Sequence, residues 1–168
     1  MLVAVAAAFT DLRARTIPNW ITLGGFLLGL AANVYVWGAK GLLVALGGFG
    51  LAVLIYLPLY LLRAMGGGDL KLMAALGAVL GAGLWWQLFI YTAMVGAMVA
   101  VAILLYRGGL ARALGNVVHI LGSLTRGKAP YKERPDLDIA SPKAVTLPHG
   151  ASIAMGALLL VFQYRNLL

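Results

Sequence analysis

The stretch GLLVALGGFGLAVLIYLPLYLL, residues 41–62, decides the fold, because no charged side chain interrupts it. An α-helix rises about 1.5 Å per residue, so this stretch extends for about 33 Å. About 20 apolar residues are enough to cross the hydrocarbon core of a bilayer. Similar apolar blocks lie on both sides of it, at residues 20–37, 70–84, 85–106 and 148–164. We therefore expect a chain that crosses a membrane several times.

The composition of the whole chain agrees with this expectation. Its 168 residues are 62% hydrophobic and 11% charged, and its mean hydropathy is +0.95. About a quarter of the residues of a water-soluble domain are charged, so this chain lacks the side chains for a polar coat. We expect an all-α polytopic bundle of about six transmembrane helices, which forms a single membrane-embedded domain over residues 1–168. The sequence does not define its oligomeric state.

The first apolar block, residues 1–10, is too short to cross a bilayer, because ten helical residues extend for about 15 Å. Either this helix enters the membrane only partway, or the natural start lies upstream. A signal peptide is not expected, since the block has neither a basic n-region nor a cleavage site.

The basic residues indicate how the chain is oriented. The chain has 13 lysines and arginines and a formal net charge of +8. If residues 11–19 face the cytoplasm, all of these basic residues except Lys40 and Arg165 fall on the cytoplasmic side, as the positive-inside bias favours. The net charge therefore reflects membrane orientation, and we expect a lipid bilayer around the bundle but no nucleic-acid partner.

Residues 107–147 are expected to form a cytoplasmic loop. Its first part, residues 110–124, has apolar residues at helical spacing, which predicts an amphipathic helix at the membrane interface. These positions are Leu110, Leu114, Val117, Val118, Leu121 and Leu124. Residues 125–142 contain three prolines and are expected to be irregular. The pair Trp85-Trp86 is interpreted as an aromatic belt at the opposite membrane face.

Cysteines are absent and there are two histidines, which excludes several kinds of site. Disulfides, zinc thiolate sites and cysteine nucleophiles all need cysteine. Two histidines are too few for a metal site without help from carboxylates. The sequence therefore predicts neither a metal nor another cofactor.

Two of the five acidic residues lie where a carboxylate suggests chemistry. Asp11 and Asp69 each adjoin an apolar block at its predicted cytoplasmic end, and a carboxylate beside a membrane span tends to be functional. Pro18 ends the first helix soon after Asp11 and then opens the second. Asp69 follows the three glycines at 66–68, which permit the close approach of another chain. We expect both carboxylates at one membrane face, around one water molecule.

Such a pair of carboxyls has a known chemistry. Like charges a few ångströms apart do not both ionise, so one carboxyl stays protonated. The ionised carboxylate takes a proton from the water, which attacks a peptide carbonyl, while the protonated one donates to the carbonyl oxygen and later to the leaving amine.

Structural roles remain open for each of these polar residues. Asp69 has the position of a helix N-cap, which satisfies free backbone N–H groups, and Asp11 has neighbouring arginines as ion-pair partners. Lys71 is interpreted as a membrane anchor, with an effect on Asp69 as the alternative. Asn19 is interpreted as a cap of the second helix, and His149 as an interfacial residue.

Two segments taken together resemble the type IV prepilin peptidases, which are membrane aspartyl proteases with a GxGD motif. The first is Asp11 followed by Ile17-Pro18-Asn19, and the second is Gly66-Gly67-Gly68-Asp69-Leu70-Lys71. By this resemblance the catalytic pair is Asp11 and Asp69. The other motif or substrate-binding residues that the resemblance implies are Gly66, Gly67, Gly68, Lys71, Pro18 and Asn19.

The resemblance implies an aspartyl endopeptidase of the bacterial inner membrane, which removes the leader of prepilin-like precursors at the cytoplasmic face, after a glycine. The small size is similar to that of the peptidases of tight-adherence pilus systems. N-methylation is not expected, because the cysteines of the family's methyltransferase part are absent. Three alternatives remain. They are a GxGD protease with another membrane substrate, a small proton or ion transporter that uses the same aspartates, and a non-catalytic pilus assembly scaffold in which the acids are caps and ion pairs.

Overall fold

The computed structural model describes residues 2–14, 17–138, 141 and 149–165, and within these residues it contains helices and no strand. Three helices, α2, α3 and α4, are long and apolar enough to cross a membrane. The predicted all-α membrane class is therefore confirmed. In chain order the helices are α1 (Leu2–Ala14), α2 (Asn19–Trp37), α3 (Ala39–Leu61), α4 (Gly67–Arg107), α5 (Leu110–Thr125), α6 (Pro130–Glu133) and α7 (His149–Arg165), with a 3-10 turn at Pro135–Leu137.

Helix α4 is broken at Gly81, where the backbone has φ 69° and ψ 170°. Such angles favour glycine, because an L side chain clashes there. Across the break, the indole N–H of Trp85 donates a 2.9 Å hydrogen bond to the carbonyl oxygen of Met73. In a continuous helix these two residues would be about 18 Å apart. The second limb of α4 (residues 82–107) therefore folds back along the first limb (residues 67–80).

This turn corrects two of the sequence predictions. The boundary predicted between residues 84 and 85 is wrong, because the chain turns at Gly81. The aromatic belt is wrong for Trp85, which is 0% exposed and packs against Tyr56 and Phe89. Its neighbour Trp86 is exposed, as a belt residue would be. Because the chain reverses four residues before Trp85, the indole lies inside the bundle, where its N–H donates to the carbonyl oxygen of Met73.

Helix α2 stabilises the turn with a side-chain amide. A broken helix leaves the carbonyl oxygens of its last turn without their usual N–H donors. The amide of Asn33 donates to the carbonyl oxygens of Ala78, at 3.0 Å, and Val79, at 3.2 Å. One side chain of α2 thus donates hydrogen bonds to two carbonyl groups next to the break.

The first limb of α4 lies at the centre of the bundle, and residues 72–78 are all buried. Helix α3 approaches it so closely that a Cβ added to Gly48 would lie 2.1 Å from the carbonyl oxygen of Gly77. Helix α2 is similarly close, since a Cβ on Gly29 would lie 2.7 Å from the side chain of Val79. This close packing fixes the helix that begins just before Asp69.

The polar segment after α4 is more ordered than the sequence predicts. Helix α5 ends at Thr125, one residue beyond the predicted 110–124, and its apolar positions are exposed. The irregular structure predicted for residues 125–142 is wrong at α6 and the 3-10 turn. Pro130 and Pro135 each open one of these turns, a position that proline favours. Glu133 also accepts a 2.8 Å hydrogen bond from the buried Ser123, which holds α6 against α5.

Candidate active site

Asp11 lies in the last turn of α1, and 9% of it is exposed. Its carboxylate Oδ2 accepts a 2.8 Å hydrogen bond from the backbone N–H of Gly150, in the first turn of α7. The first N–H groups of a helix have no partner within the helix, and they carry partial positive charge. The start of α7 therefore stabilises the Asp11 carboxylate.

Gly150 permits this contact because it has no side chain. A Cβ on this residue would lie 2.7 Å from Oδ2 of Asp11 and 2.9 Å from its Cβ. Gly150 is itself buried and has helical neighbours, so the backbone has little freedom to move away. Only glycine lets α7 approach Asp11 at this distance.

Asp69 is the third residue of α4, and it is half-buried. The N-cap role considered from the sequence is wrong, because Gly66 occupies the N-cap position with extended backbone, φ −75° and ψ 149°. The Asp69 carboxylate instead accepts a hydrogen bond from the backbone N–H of Gly66. A side chain three residues into the helix that returns to the capping residue is the acidic half of a capping box.

The two aspartates lie at the same end of the bundle. The charge of Asp11 acts on Asp69, so the two carboxyls lie within electrostatic range of each other. The segment between α1 and α2 also contacts the start of α4, since a Cβ on Gly68 would lie 3.3 Å from the Cβ of Ile17. The structure thus brings together the two acids that the sequence singled out.

The remaining motif residues lie around Asp69 but have different partners. Gly67 is adjacent to the ring of Tyr60, and a Cβ there would lie 3.2 Å from it. Pro18 is the N-cap of α2, with φ −61° and ψ 138°. The capping role expected for Asn19 is wrong, because Asn19 makes no side-chain cap and its Oδ1 accepts a 2.9 Å hydrogen bond from Lys71 Nζ. This bond links α2 to α4 on the exposed side.

Three residues near the aspartates were missed as site residues by the sequence reasoning. Gly150 contacts Asp11 directly, and the imidazole of His149 lies within electrostatic range of the same carboxylate. The hydroxyl of Tyr56 is within electrostatic range of Asp69. The available signal was the His149-Gly150 pair at the head of the last apolar block, where a glycine opens a helix. Nothing in the local sequence marks Tyr56.

Within the described ranges, no three His, Asp or Glu side chains come together as metal ligands. The site contains two carboxyls, those of Asp11 and Asp69, with backbone N–H groups as hydrogen-bond donors. Each carboxylate accepts a backbone N–H, which orients it without neutralising it.

Comparison with known proteins gives a consistent set of relatives. Residues 1–105 match the model of the Type IV leader peptidase family. The prepilin leader peptidase/N-methyltransferases of Aeromonas salmonicida strain A449 and Aeromonas hydrophila are each 34% identical over 116 residues. These alignments cover 62% of this chain and 38% of each relative. No solved structure gives a significant match. Gly150 and the segment after α5 lie outside the family match.

Proposed function

The chain belongs to the type IV leader peptidase family, and from this premise we propose that it is an aspartyl endopeptidase which removes the leader of prepilin-like precursors. Asp11 and Asp69 are the catalytic residues of this proposal. The relatives that carry the name prepilin leader peptidase support the choice of substrate. The matched part is little more than a third of their length, and the proposal concerns peptidase activity alone.

One observation carries the proposal. Two acids that are far apart in the chain lie at one end of the bundle, where each accepts a backbone N–H from a glycine at a helix start. Asp11 interacts electrostatically with Asp69. A buried carboxylate at a membrane span has few structural uses and is typical of a functional site.

The reaction is a general acid–base hydrolysis. One carboxylate of the pair takes a proton from water, and the water oxygen bonds to the carbonyl carbon of the scissile peptide. The protonated partner donates its proton to the carbonyl oxygen. When the tetrahedral intermediate collapses, the C–N bond breaks and the carboxyl that took the water proton gives it to the leaving nitrogen. The other carboxylate takes a proton back from a hydroxyl of the intermediate as the carbonyl re-forms, which restores the pair to its starting state.

The preference for glycine before the cut follows from the same geometry. The start of α4 is itself a glycine run, and a substrate glycine has no side chain to separate the scissile carbonyl from the carboxylates. Larger residues at that position of the substrate are expected to reduce cleavage.

Replacement of each acid by its neutral isostere tests the catalytic assignment. Asp11→Asn and Asp69→Asn should each abolish leader cleavage of a co-expressed precursor, with a loss of at least about 100-fold. Membrane insertion, measured by fractionation and blotting, should be unchanged. Near-normal cleavage by either variant would contradict the pair mechanism. Cleavage of unrelated single-span proteins, but not of prepilin-like precursors, would support a GxGD protease with another substrate.

We also propose that the chain crosses the bacterial inner membrane several times, with the aspartates at the cytoplasmic face. The distribution of basic residues supports this orientation. The chain has no cysteine, so single cysteines introduced at Lys40 and Lys132 report sidedness without background. An impermeant thiol reagent should label intact spheroplasts at residue 40 and not at residue 132. The reverse pattern would overturn the orientation.

A further inference from the structure

Arg63, just after the end of α3, has a left-handed backbone with φ 54°, and it is the only such non-glycine residue among those described. Its N–H donates to the carbonyl of Tyr60, at 3.0 Å, and the N–H of Ala64 donates to the carbonyl of Leu59, at 2.9 Å. This pair of hydrogen bonds ends many helices, and glycine is the usual residue at the left-handed position.

The ends of α4 and α5 show what the backbone favours. Both have a left-handed glycine at the equivalent position, Gly108 with φ 66° and Gly127 with φ 68°. Arginine at the same position of α3 is less favourable, because its Cβ crowds the backbone. Strain of this kind persists only where the surrounding structure fixes the residue, and such residues cluster at functional sites. The contacts of the Arg63 side chain therefore bear on its role.

That side chain joins the turn after α3 to a distant segment. Its Nη1 lies 2.7 Å from Oδ2 of Asp138, which is 75 residues further along the chain. Its Cζ lies 5.0 Å from the centre of the Tyr131 ring. The guanidinium is thus in contact with a carboxylate and with an aromatic face, two partners that suit arginine better than lysine.

Residues 131–138, called the outer segment below, are also attached to α5. Glu133 accepts a 2.8 Å hydrogen bond from Ser123, and it lies 3.2 Å from Lys128 Nζ. The outer segment therefore contacts both α5 and Arg63, and its contact with Arg63 connects it to the turn that precedes the glycine motif.

A cavity of about 530 Å³ lies between the outer segment and the start of α4. Its volume is within the range of ligand pockets, about 300–1,000 Å³. Gly66 and Gly67 belong to its lining, and they precede Asp69 directly. The other residues used below are Tyr60, Arg63, Tyr131 and Asp138.

We propose that this cavity is a subsite for an extended peptide segment of the substrate, and that Arg63 is a positioning residue which holds the outer segment as its wall. The inference rests on the proposed function, because it places the substrate next to Asp69. Glycine backbone on one side permits close main-chain approach. Tyrosine rings at 60 and 131 offer apolar surface with polar tips. Arg63 and Asp138 neutralise each other, so the subsite suits an uncharged segment.

Steady-state cleavage kinetics test the role of Arg63. The substrate is a synthetic peptide with a leader that ends in glycine, followed by about 20 apolar residues, and the enzyme is the full chain in lipid nanodiscs. Arg63→Gly and Asp138→Asn should each raise KM about tenfold and leave kcat within about twofold. Arg63→Ala should raise KM as much as Arg63→Gly, although the glycine variant is the more stable by thermal unfolding, because only the side chain matters for binding.

Two further variants separate this role from a general effect on structure. The charge-exchanged double variant, Arg63→Asp with Asp138→Arg, should return KM to within about threefold of the wild type, since aspartate tolerates the left-handed backbone. Lys40→Met removes an exposed cation at the other end of α3, outside the cavity, and it should leave KM unchanged. An unchanged KM in both Arg63 variants would overturn the proposal, as would a loss confined to kcat or an equal effect of Lys40→Met.

Binding of the same peptide, labelled with a fluorophore, to an Asp69→Asn background separates the two proposals. If the wild type does not cut the peptide, yet Arg63→Gly still weakens its binding about tenfold, the subsite stands and the peptidase assignment fails. If the wild type cuts the peptide and neither KM nor binding responds to Arg63→Gly, the peptidase assignment stands and the subsite fails.

Discussion

Asp11 and Asp69 are held by the same kind of contact, made in opposite ways. Each carboxylate accepts a backbone N–H from a glycine at the start of a helix. For Asp69 that glycine is Gly66, three residues earlier in its own helix start. For Asp11 it is Gly150, 139 residues away in α7. One acid is positioned by local sequence, and the other by the docking of a distant helix.

The difference predicts unequal sensitivity to small changes in packing. A local capping interaction survives a shift of the whole helix, because donor and acceptor move together. A contact between two helices is lost when either helix moves. We therefore expect changes at the α1–α7 contact to impair activity more than changes of equal size around the start of α4.

The largest effect is expected for Gly150→Ala. The new methyl group would lie 2.7 Å from Oδ2 of Asp11, so α7 and α1 must separate, and a misplacement near 1 Å reduces the rate about 100-fold. The measurement is kcat/KM for precursor cleavage by the purified protein. The matched control is Gly47→Ala in α3, where an added Cβ meets nothing within 4 Å. Equal activity of the two variants would show that Asp11 does not depend on α7.

A smaller effect is expected for Gly68→Ala, at the start of α4. Its Cβ would lie 3.3 Å from the Cβ of Ile17, so one of the two residues must move by only a few tenths of an ångström. The bond between Gly66 and Asp69 can follow that shift, so we expect a loss of about tenfold in kcat/KM. The comparison between the two acids is reversed if Gly68→Ala is the more damaging substitution.

Trp85→Phe tests whether Asp69 depends on tertiary support below its helix start. The substitution removes the 2.9 Å hydrogen bond to the carbonyl of Met73. That carbonyl lies within the first limb of α4 and keeps its helical N–H donor, so the loss of one hydrogen bond should cost about 0.5–1.5 kcal/mol. Thermal unfolding followed by circular dichroism should show this loss. Because the local contact of Asp69 remains, kcat should change less than about threefold at a temperature where the variant is folded. A large fall in kcat without a loss of thermal stability would contradict the view that Asp69 is positioned by its local contact alone.

The smallest effect is expected for Lys71→Met and Asn19→Ala. Each removes the exposed 2.9 Å hydrogen bond between Lys71 Nζ and Asn19 Oδ1. Exposed polar contacts contribute less than about 1 kcal/mol, so cleavage should remain within about twofold of the wild type. If Lys71→Met alone abolishes cleavage while Asn19→Ala does not, Lys71 acts on Asp69 rather than as a link between helices.

The same contrast explains what the sequence predicts well. The helical membrane class follows from long uncharged blocks, and the place of Asp69 follows from a glycine run directly before an apolar helix. Each of these sequence patterns lies within a few residues of the structure that it predicts. The role of Gly150 is different, because its partner is far away in the chain and glycine at a helix start is common. No local pattern specifies which helix packs against Asp11.

The turn in α4 was located only approximately for a related reason. Gly81 and Gly83 both permit a reversal, and the sequence pattern does not choose between them. The turn at Gly81 brings Trp85 of one limb within hydrogen-bond distance of Met73 of the other. Such a contact forms only when the two limbs lie side by side, so no local pattern predicts it. The outer segment was missed because its order depends on contacts with Arg63 and Ser123, at 75 and 10 residues' separation.

At the turn in α4, the amide of Asn33 and the carbonyl groups that it binds are synthesised at different times. Its acceptors, the carbonyl oxygens of Ala78 and Val79, are synthesised after it, because a chain leaves the ribosome from its N-terminus. The donor has thus been synthesised before the groups that it binds. A circular permutation that places α2 after α4 would reverse this order, and the turn would then emerge from the ribosome before the amide that donates to it.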